Sequence, residues 1–391
     1  MYLNLFISYI YGNILITVIK FLVEKYNILV VGAGLSGAVI AERFANDNYK
    51  VYVIDKRDHI AGNCFDFVDS NNLLINKYGA HLFHTNDEIV WNYIQKFSDW
   101  QQWKHSVKAS VDGKLVPIPV NIDTVNSLCC THIKTEQEME NWLKSVQCKY
   151  KILTNSEEVA KSRVGEDLYK KIFKDFTFKQ WNKYPEALDV SVLSRIPVRT
   201  TFESNYFDDT YQALPVRGYT TLIENMLSHP NITVQTNCDF TSLKDNITYD
   251  ILIYTGPIDE FFNNSGLPKL EYRSIEFIEE RYDNLAFYQS NSVVNYPSLD
   301  IPYTRIVEYK HFLNQKSPNT TIVKEFFKNT GDPFYPIPDI KNNSLYLKYN
   351  ELASKEKSVY FIGRLANYTY FNMDQVIKNA LDFYNSFIWN R

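Results

Sequence analysis

The sequence predicts an α/β fold: a discontinuous Rossmann-like dinucleotide-binding domain that carries a helical insert and an antiparallel β-sheet domain. Three observations predict it. A β-favouring run, Tyr26 to Val31, leads into Gly32, Gly34 and Gly37 at G-x-G-x-x-G spacing, and an amphipathic stretch through Ala41, Phe44 and Ala45 follows. A second β-type run, Val51 to Ile54, ends in Asp55, about 20 residues beyond the glycines, where such a fold places the carboxylate that accepts ribose hydroxyls. Near the C-terminus a strand, Val359 to Ile362, is followed by Gly363-Arg364, a tyrosine-rich loop and a helix with Val376, Ile377, Ala380, Leu381 and Tyr384 on one face.

The glycines let the backbone turn sharply and approach a pyrophosphate, whose charge is stabilised by the free N–H groups at the start of the next helix. Asn372 is a natural N-cap for the last helix, and Gln375 stands three residues on, as in a capping box. The stretch Ile60 to Asp66 has a small-residue pair followed by Asn63, which favours FAD over NAD because the backbone passes close to the cofactor. Glu88 to Phe97 and Thr135 to Gln180 carry apolar positions at helical spacing. Runs at Lys108 to Val111, Ile275 to Ile278, Val293 to Asn295 and Ile322 to Lys324 predict a mostly antiparallel sheet. The expected division gives 25–87, 212–262 and 345–391 to the FAD-binding domain. A helical substrate domain with a mobile loop takes 88–106 and 123–200, and the sheet domain takes 107–122 and 263–344.

A hydrophobic content of 45% with 22% charged residues describes a globular chain, and a net charge of −4 gives nucleic acid no general attraction. Five cysteines without a C-x-x-C pair indicate neither a zinc site nor a disulfide framework, so no metal is expected and a reducing cytoplasm is the simplest compartment. Residues 1–24 are strongly apolar, with no charged side chain from Tyr2 to Ile19. They admit two readings: a segment associating with the cytoplasmic membrane face, or an extension that the fold does not need. A signal peptide is not expected, since the segment has neither a basic start nor a small-residue cleavage site.

Several longer motifs then occur in order: VVGAGLSG at 30–37, YGAHLFHT at 78–85, FTFKQW at 176–181 and LSRIPVR at 193–199. YTGPIDEFF at 254–262, EYRSIEF at 271–277, IPYTRIVEYKHF at 301–312 and GRLANYTYFNMDQVI at 363–377 follow. From about residue 26 onward the chain resembles the bacterial UDP-galactopyranose mutases. The resemblance implies that UDP-galactopyranose and UDP-galactofuranose are interconverted through attack of reduced FAD N5 on the anomeric carbon, with UDP leaving and returning. It implies a cellular flavin reductant such as NAD(P)H and a homodimer.

By the same resemblance, Arg195, on a loop that closes over substrate, with Arg273 and Arg305, binds the diphosphate; forked guanidinium groups suit phosphate oxygens. Tyr206, Tyr335 and Tyr370 correspond to tyrosines that hydrogen-bond it, and Phe176, Trp181 and Asn372 to the remaining substrate contacts. Arg195, Arg305 and His84 are the residues implied for catalysis. Gly32, Gly34, Leu35, Ser36, Gly37, Asp55, Lys56 and Asn63 correspond to cofactor contacts, as do His81, His84, Gly363, Arg364 and Met373. Three positions depart from the pattern: Phe176 replaces Tyr, Asn372 replaces Asp, and Ala80 interrupts a Gly-Pro-His motif. The first two lose polar contacts, each worth roughly 1–3 kcal/mol, which leaves open a UDP-N-acetylgalactosamine substrate. Two other classes also remain: an FAD-dependent oxidoreductase, which would not need the arginine set, and a non-catalytic nucleotide-sugar-binding relative.

Overall fold

The structure is a computed structural model that describes residues 25–243 and 247–389, with two short paired strands, Tyr9–Tyr11 and Ile14–Ile16, before them. The rest of the apolar extension lies outside the described residues, and with it most of the sequence expectation for 1–24. Among the described residues no helix is long and apolar enough to cross a membrane.

The predicted βαβ start forms as read. Lys25–Val31 and Val51–Ile54 are adjacent parallel strands joined by the helix Leu35–Asn46. They lie inside a five-stranded parallel sheet with the order Ile232–Gln235, Val51–Ile54, Lys25–Val31, Thr248–Tyr254, Val359–Phe361. Both faces of such a sheet are covered, which is why its central strands read as continuous apolar runs rather than as alternation. Leu35–Asn46, Gly218–Leu227 and Met373–Trp389 cover one face through Phe44, Leu222, Ile377 and Leu381. Leu29, Tyr52, Ile54 and Leu252 pack with Phe240 and Phe261 on the other.

The second sheet has seven strands, in the order Lys114–Ile118, Val107–Val111, Val293–Asn295, Arg305–Glu308, Thr320–Lys328, Tyr272–Tyr282, Tyr335–Pro336. It is antiparallel except where Val107–Val111 pairs parallel with Val293–Asn295. The helical region packs on it, so Val107, Val293, Val307 and Val323 share one core with Leu143, Val159, Leu168 and Trp181. This region is less continuous than its periodicity suggests. Glu136–Val146 starts with a Thr135/Glu138 capping box and ends before residues 147–155, while Ser156–Leu168 is kinked at Gly165 (φ +79°). A wide π-type turn, Tyr169–Lys174, then leads into Asp175–Trp181. The Gly165 backbone lies where a Cβ would come within 2.6 Å of the Val146 carbonyl, so the kink lets two segments pass closely. A small antiparallel sheet of Phe83–Thr85, Tyr211–Pro215 and Trp100–Gln102 joins the two halves and was not expected from the sequence.

Candidate functional site

A cavity of about 520 Å³ opens at the carboxyl ends of the parallel strands. Its floor is bare backbone. A Cβ on Gly32, whose φ is +108°, would lie 2.1 Å from Thr255 Oγ1, and one on Gly37 would lie 1.9 Å from the Gly32 carbonyl oxygen. Gly37 therefore sets how closely the helix Leu35–Asn46 approaches the first strand. Gly34, the N-cap of that helix, supplies no side-chain cap, so first-turn N–H groups remain for a ligand. Gly34 and Gly62 cross with no side chain between them, a Cβ on Gly62 falling 3.0 Å from Gly34 Cα.

Leu35, Ser36, Asp55, Lys56 and Asn63 line the cavity. The Asp55 carboxylate accepts hydrogen bonds from the Ala33 N–H at 2.8 Å and the Arg57 N–H at 2.9 Å, and a carboxylate retains acceptor capacity beyond two bonds. His81, Arg364 and Met373 line it too, with Cys64. Burial, with a contribution from Arg364, pushes the His81 imidazole down to about 4, and its Nδ1 lies 2.8 Å from the Gly79 carbonyl oxygen. A neutral ring next to a carbonyl must donate from Nδ1, which leaves Nε2 as an acceptor. Burial pushes the Cys64 thiol up to about 12, so it is no nucleophile.

Arg364 joins this cavity to a second set of groups. Its guanidinium lies 5.2 Å from the Tyr335 ring centre and 5.5 Å from that of Tyr370, while Nε donates to the Phe371 carbonyl at 3.0 Å. Arg195, solvent-exposed at the mouth of the cleft, extends its guanidinium over Tyr370 at 4.4 Å. Trp181 meets Tyr370 edge-on at 5.9 Å, and Tyr335 lies 5.2 Å from Tyr370. Arg305 pairs with the buried Glu325, Nε to Oε2 at 3.3 Å. Burial works to raise the Tyr370 phenol, yet Arg195, Arg364 and Arg305 together hold it below its ordinary range. The cleft thus carries surplus positive charge: among the described residues, Glu325 is the only carboxylate that pairs with any of these three guanidinium groups.

The other candidate residues divide. Tyr206 belongs with the cleft, since it acts electrostatically on both Arg195 and Arg305. Phe176 is half-buried on the helix that carries Trp181, and Asn372 is half-buried at the start of the last helix, its N–H donating to Gln375 Oε1 at 2.8 Å. Gly363 lies behind Ser36, where a Cβ would approach Ser36 Oγ to 2.5 Å. Two residues stand apart from their expected partners. His84 does not line the cavity; its Nδ1 lies 2.8 Å from Asp209 and its ring stacks on Phe207 at 3.7 Å. Arg273 is buried and already engaged. Its Nε donates to the Gln180 carbonyl at 2.7 Å, Nη2 to that of Lys179 at 3.3 Å, and Nη1 to Asn329. Burial pulls its pKa down to about 10, and its visible task is to hold the end of the Trp181 helix.

Sequence reasoning missed Glu325 and His105. Glu325 is a buried carboxylate in the strand Thr320–Lys328, close after the buried run Thr320 to Val323, a signal that was readable. His105 is buried, and desolvation, with Arg305 and His84, pushes it down to about 3; no spacing marks it.

Comparison with known proteins follows the same lines. The family model described as UDP-galactopyranose mutase matches residues 171–370, and that for an NAD(P)-binding Rossmann-like domain matches 30–97. A Klebsiella pneumoniae protein named "Probable UDP-galactopyranose mutase" is 36% identical over 367 residues, covering 93% of this chain and 94% of its own. The dTDP-fucopyranose mutase of Escherichia coli is also 36% identical, over 377 residues, covering 93% and 98%. Among solved structures, reduced UDP-galactopyranose mutase superposes with a TM-score of 0.74 at 17% identity, covering 94% of this chain and 96% of the other.

Proposed function

The chain belongs to the UDP-galactopyranose mutase family, and on that premise we propose that it interconverts UDP-galactopyranose and UDP-galactofuranose, using reduced FAD held in the glycine-lined cavity. The single observation that carries the reading is the charged cleft beside that cavity, where Arg195 and Arg364 lie 4.4 and 5.5 Å from the Tyr370 ring and Arg305 acts on the same phenol. Such surplus charge suits a diphosphate that must leave and return.

Bound reduced FAD would supply a nucleophilic N5 for the anomeric carbon. The residues to hold it are Gly32, Gly34, Leu35, Ser36, Asp55, Lys56 and Asn63, with His81, Arg364 and Met373; the Gly34–Gly62 crossing leaves room that any side chain would fill. Neutral His81 keeps an Nε2 lone pair in the cavity to accept a hydrogen bond. Arg195 and Arg305 grip the diphosphate, and the Tyr206, Tyr335 and Tyr370 hydroxyls add directional hydrogen bonds. Trp181 gives the sugar or base an apolar wall. Glu325 orients Arg305, while His84, fixed by Asp209, supports the wall of the site rather than the reacting atoms. Holding the leaving group beside the attacked carbon is most of what the protein must contribute. A flavin reductant such as NAD(P)H, a homodimer and the three-part domain division complete the reading.

Chromatography of UDP-galactofuranose conversion tests it, run with the bound flavin reduced and again oxidised. Turnover in the reduced state alone is expected; none in either state would overturn the reading. The equal identity to the dTDP-fucopyranose mutase favours one second reading, a dTDP-linked 6-deoxy sugar, and the same assay with that substrate decides between them. Family membership does not favour an oxidoreductase or a non-catalytic role.

A further inference from the structure

Arg195 follows a helix of only four residues, Ser191–Ser194, and its guanidinium engages Tyr370, so where it reaches depends on how its backbone is held. The backbone around it is held from elsewhere. Arg163, on the helix Ser156–Leu168, aims Nη1 at three carbonyl oxygens: Leu193 at 3.4 Å, Ser194 at 3.1 Å and Ile196 at 2.5 Å. These carbonyls lie around Arg195 at the C-terminal end of the short helix; that of Leu193 also accepts from the Ile196 N–H at 3.3 Å, and a cation is favoured at such an end. Among the described residues no carboxylate pairs with Arg163. Burial alone lowers its pKa, so the desolvated cation is compensated by these carbonyls.

The same helix holds the segment at a second point: the Ser156 N–H donates to the Leu188 carbonyl at 3.1 Å and Ser156 Oγ to the Asp189 carbonyl at 2.5 Å. Ser156 and Arg163 are two helical turns apart, about 10 Å along the axis, so segment 188–196 is tied down at both ends. Val192 and Leu193 are buried beneath it, which leaves Arg195 free to lean over Tyr370.

We propose that Arg163 is a positioning residue for Arg195: its guanidinium gathers the Leu193, Ser194 and Ile196 carbonyls and so presents Arg195 to the diphosphate. This rests on the reading that Arg195 grips the diphosphate. The test uses the FAD-loaded protein, with UDP as the probe in calorimetric titration beside steady-state kinetics. Arg163→Met should raise the UDP Kd and the KM about tenfold, as expected for losing hydrogen bonds from a charged group, with kcat, melting temperature and flavin content little changed. Arg163→Lys, which keeps the cation, should recover most of the loss. In an Arg195→Ala background, Arg163→Met should cost nothing further. An unchanged Kd, or the same loss with Arg195 absent, would overturn the proposal. If Arg195→Ala alone leaves UDP binding intact, the reading of Arg195 fails instead, and that outcome is separately visible. Should the Met variant lose its flavin, Arg163→Gln is judged by the same criteria.

Discussion

The glycine-lined cavity and the arginine–tyrosine cleft adjoin at Arg364 but are built in opposite ways. The cavity is shaped by what is missing: Gly32, Gly34, Gly37 and Gly62, clustered within some thirty residues, let backbone approach backbone. The cleft is shaped by what is added, with Trp181, Arg195, Tyr206, Arg305, Tyr335 and Tyr370 each arriving from a different segment and acting through charge and aromatic contact. Steric demands at the first site should make substitutions structural. Electrostatic demands at the second should make them functional, except where a buried partner is stranded.

Arg305→Met should strike hardest, because it removes the proposed diphosphate contact and strands Glu325 in the core. We expect kcat/KM to fall about 10²- to 10³-fold and stability to drop by about 3 kcal/mol. Adding Glu325→Gln should restore the melting temperature without restoring turnover. If both return together, the pair is structural and the contrast between the two regions breaks.

Gly37→Ala comes next, with its Cβ forced onto the Gly32 carbonyl: a loss of about 3 kcal/mol and of bound flavin, read by calorimetry and visible absorbance. Gly34→Ala sharpens the point. With φ at −80° and 3.6 Å to the nearest atom, it should cost under about 1 kcal/mol in stability yet still weaken flavin retention.

Tyr335→Phe should weaken UDP binding about tenfold by titration and leave the fold intact, since only the hydroxyl is lost. At neutral pH the smallest effect lies behind the cleft, at His105. Folding holds this imidazole neutral down to about 3, whereas in the unfolded chain it takes up a proton near 6.5. The unfolded state therefore binds more protons as pH falls through that window, so stability declines from pH 6.5 toward 3 and the group contributes nothing above it. Urea melts of His105→Gln against the parent should show a flatter acid limb below pH 6.5 and no difference above it.

Local physics made the first half of the molecule legible. Val51 to Ile54 formed over the residues expected, and Asp55 follows it into the cavity because the turn chemistry and strand propensity of that stretch act within a few residues. The helical region was legible only in outline. Its amphipathic spacing does not reveal the Gly165 kink or the π-type turn, both set by contact with distant backbone such as Val146. Family resemblance supplied the arginines and tyrosines of the cleft, though not what each one touches.

By itself, the sequence determined the parallel sheet, the glycine turn, the acid that ends the second strand and the supply of arginines and tyrosines, since each follows from pattern over short range. Tertiary structure decided which of those groups are free to act. It committed Arg273 to the carbonyls of Lys179 and Gln180, tied His84 to Asp209, paired Arg305 with Glu325 and left Arg195 leaning over Tyr370. The physical reason is that a charged side chain is defined by its partners, and residues from 20 to 175 positions apart in the sequence become partners only when the fold brings them together.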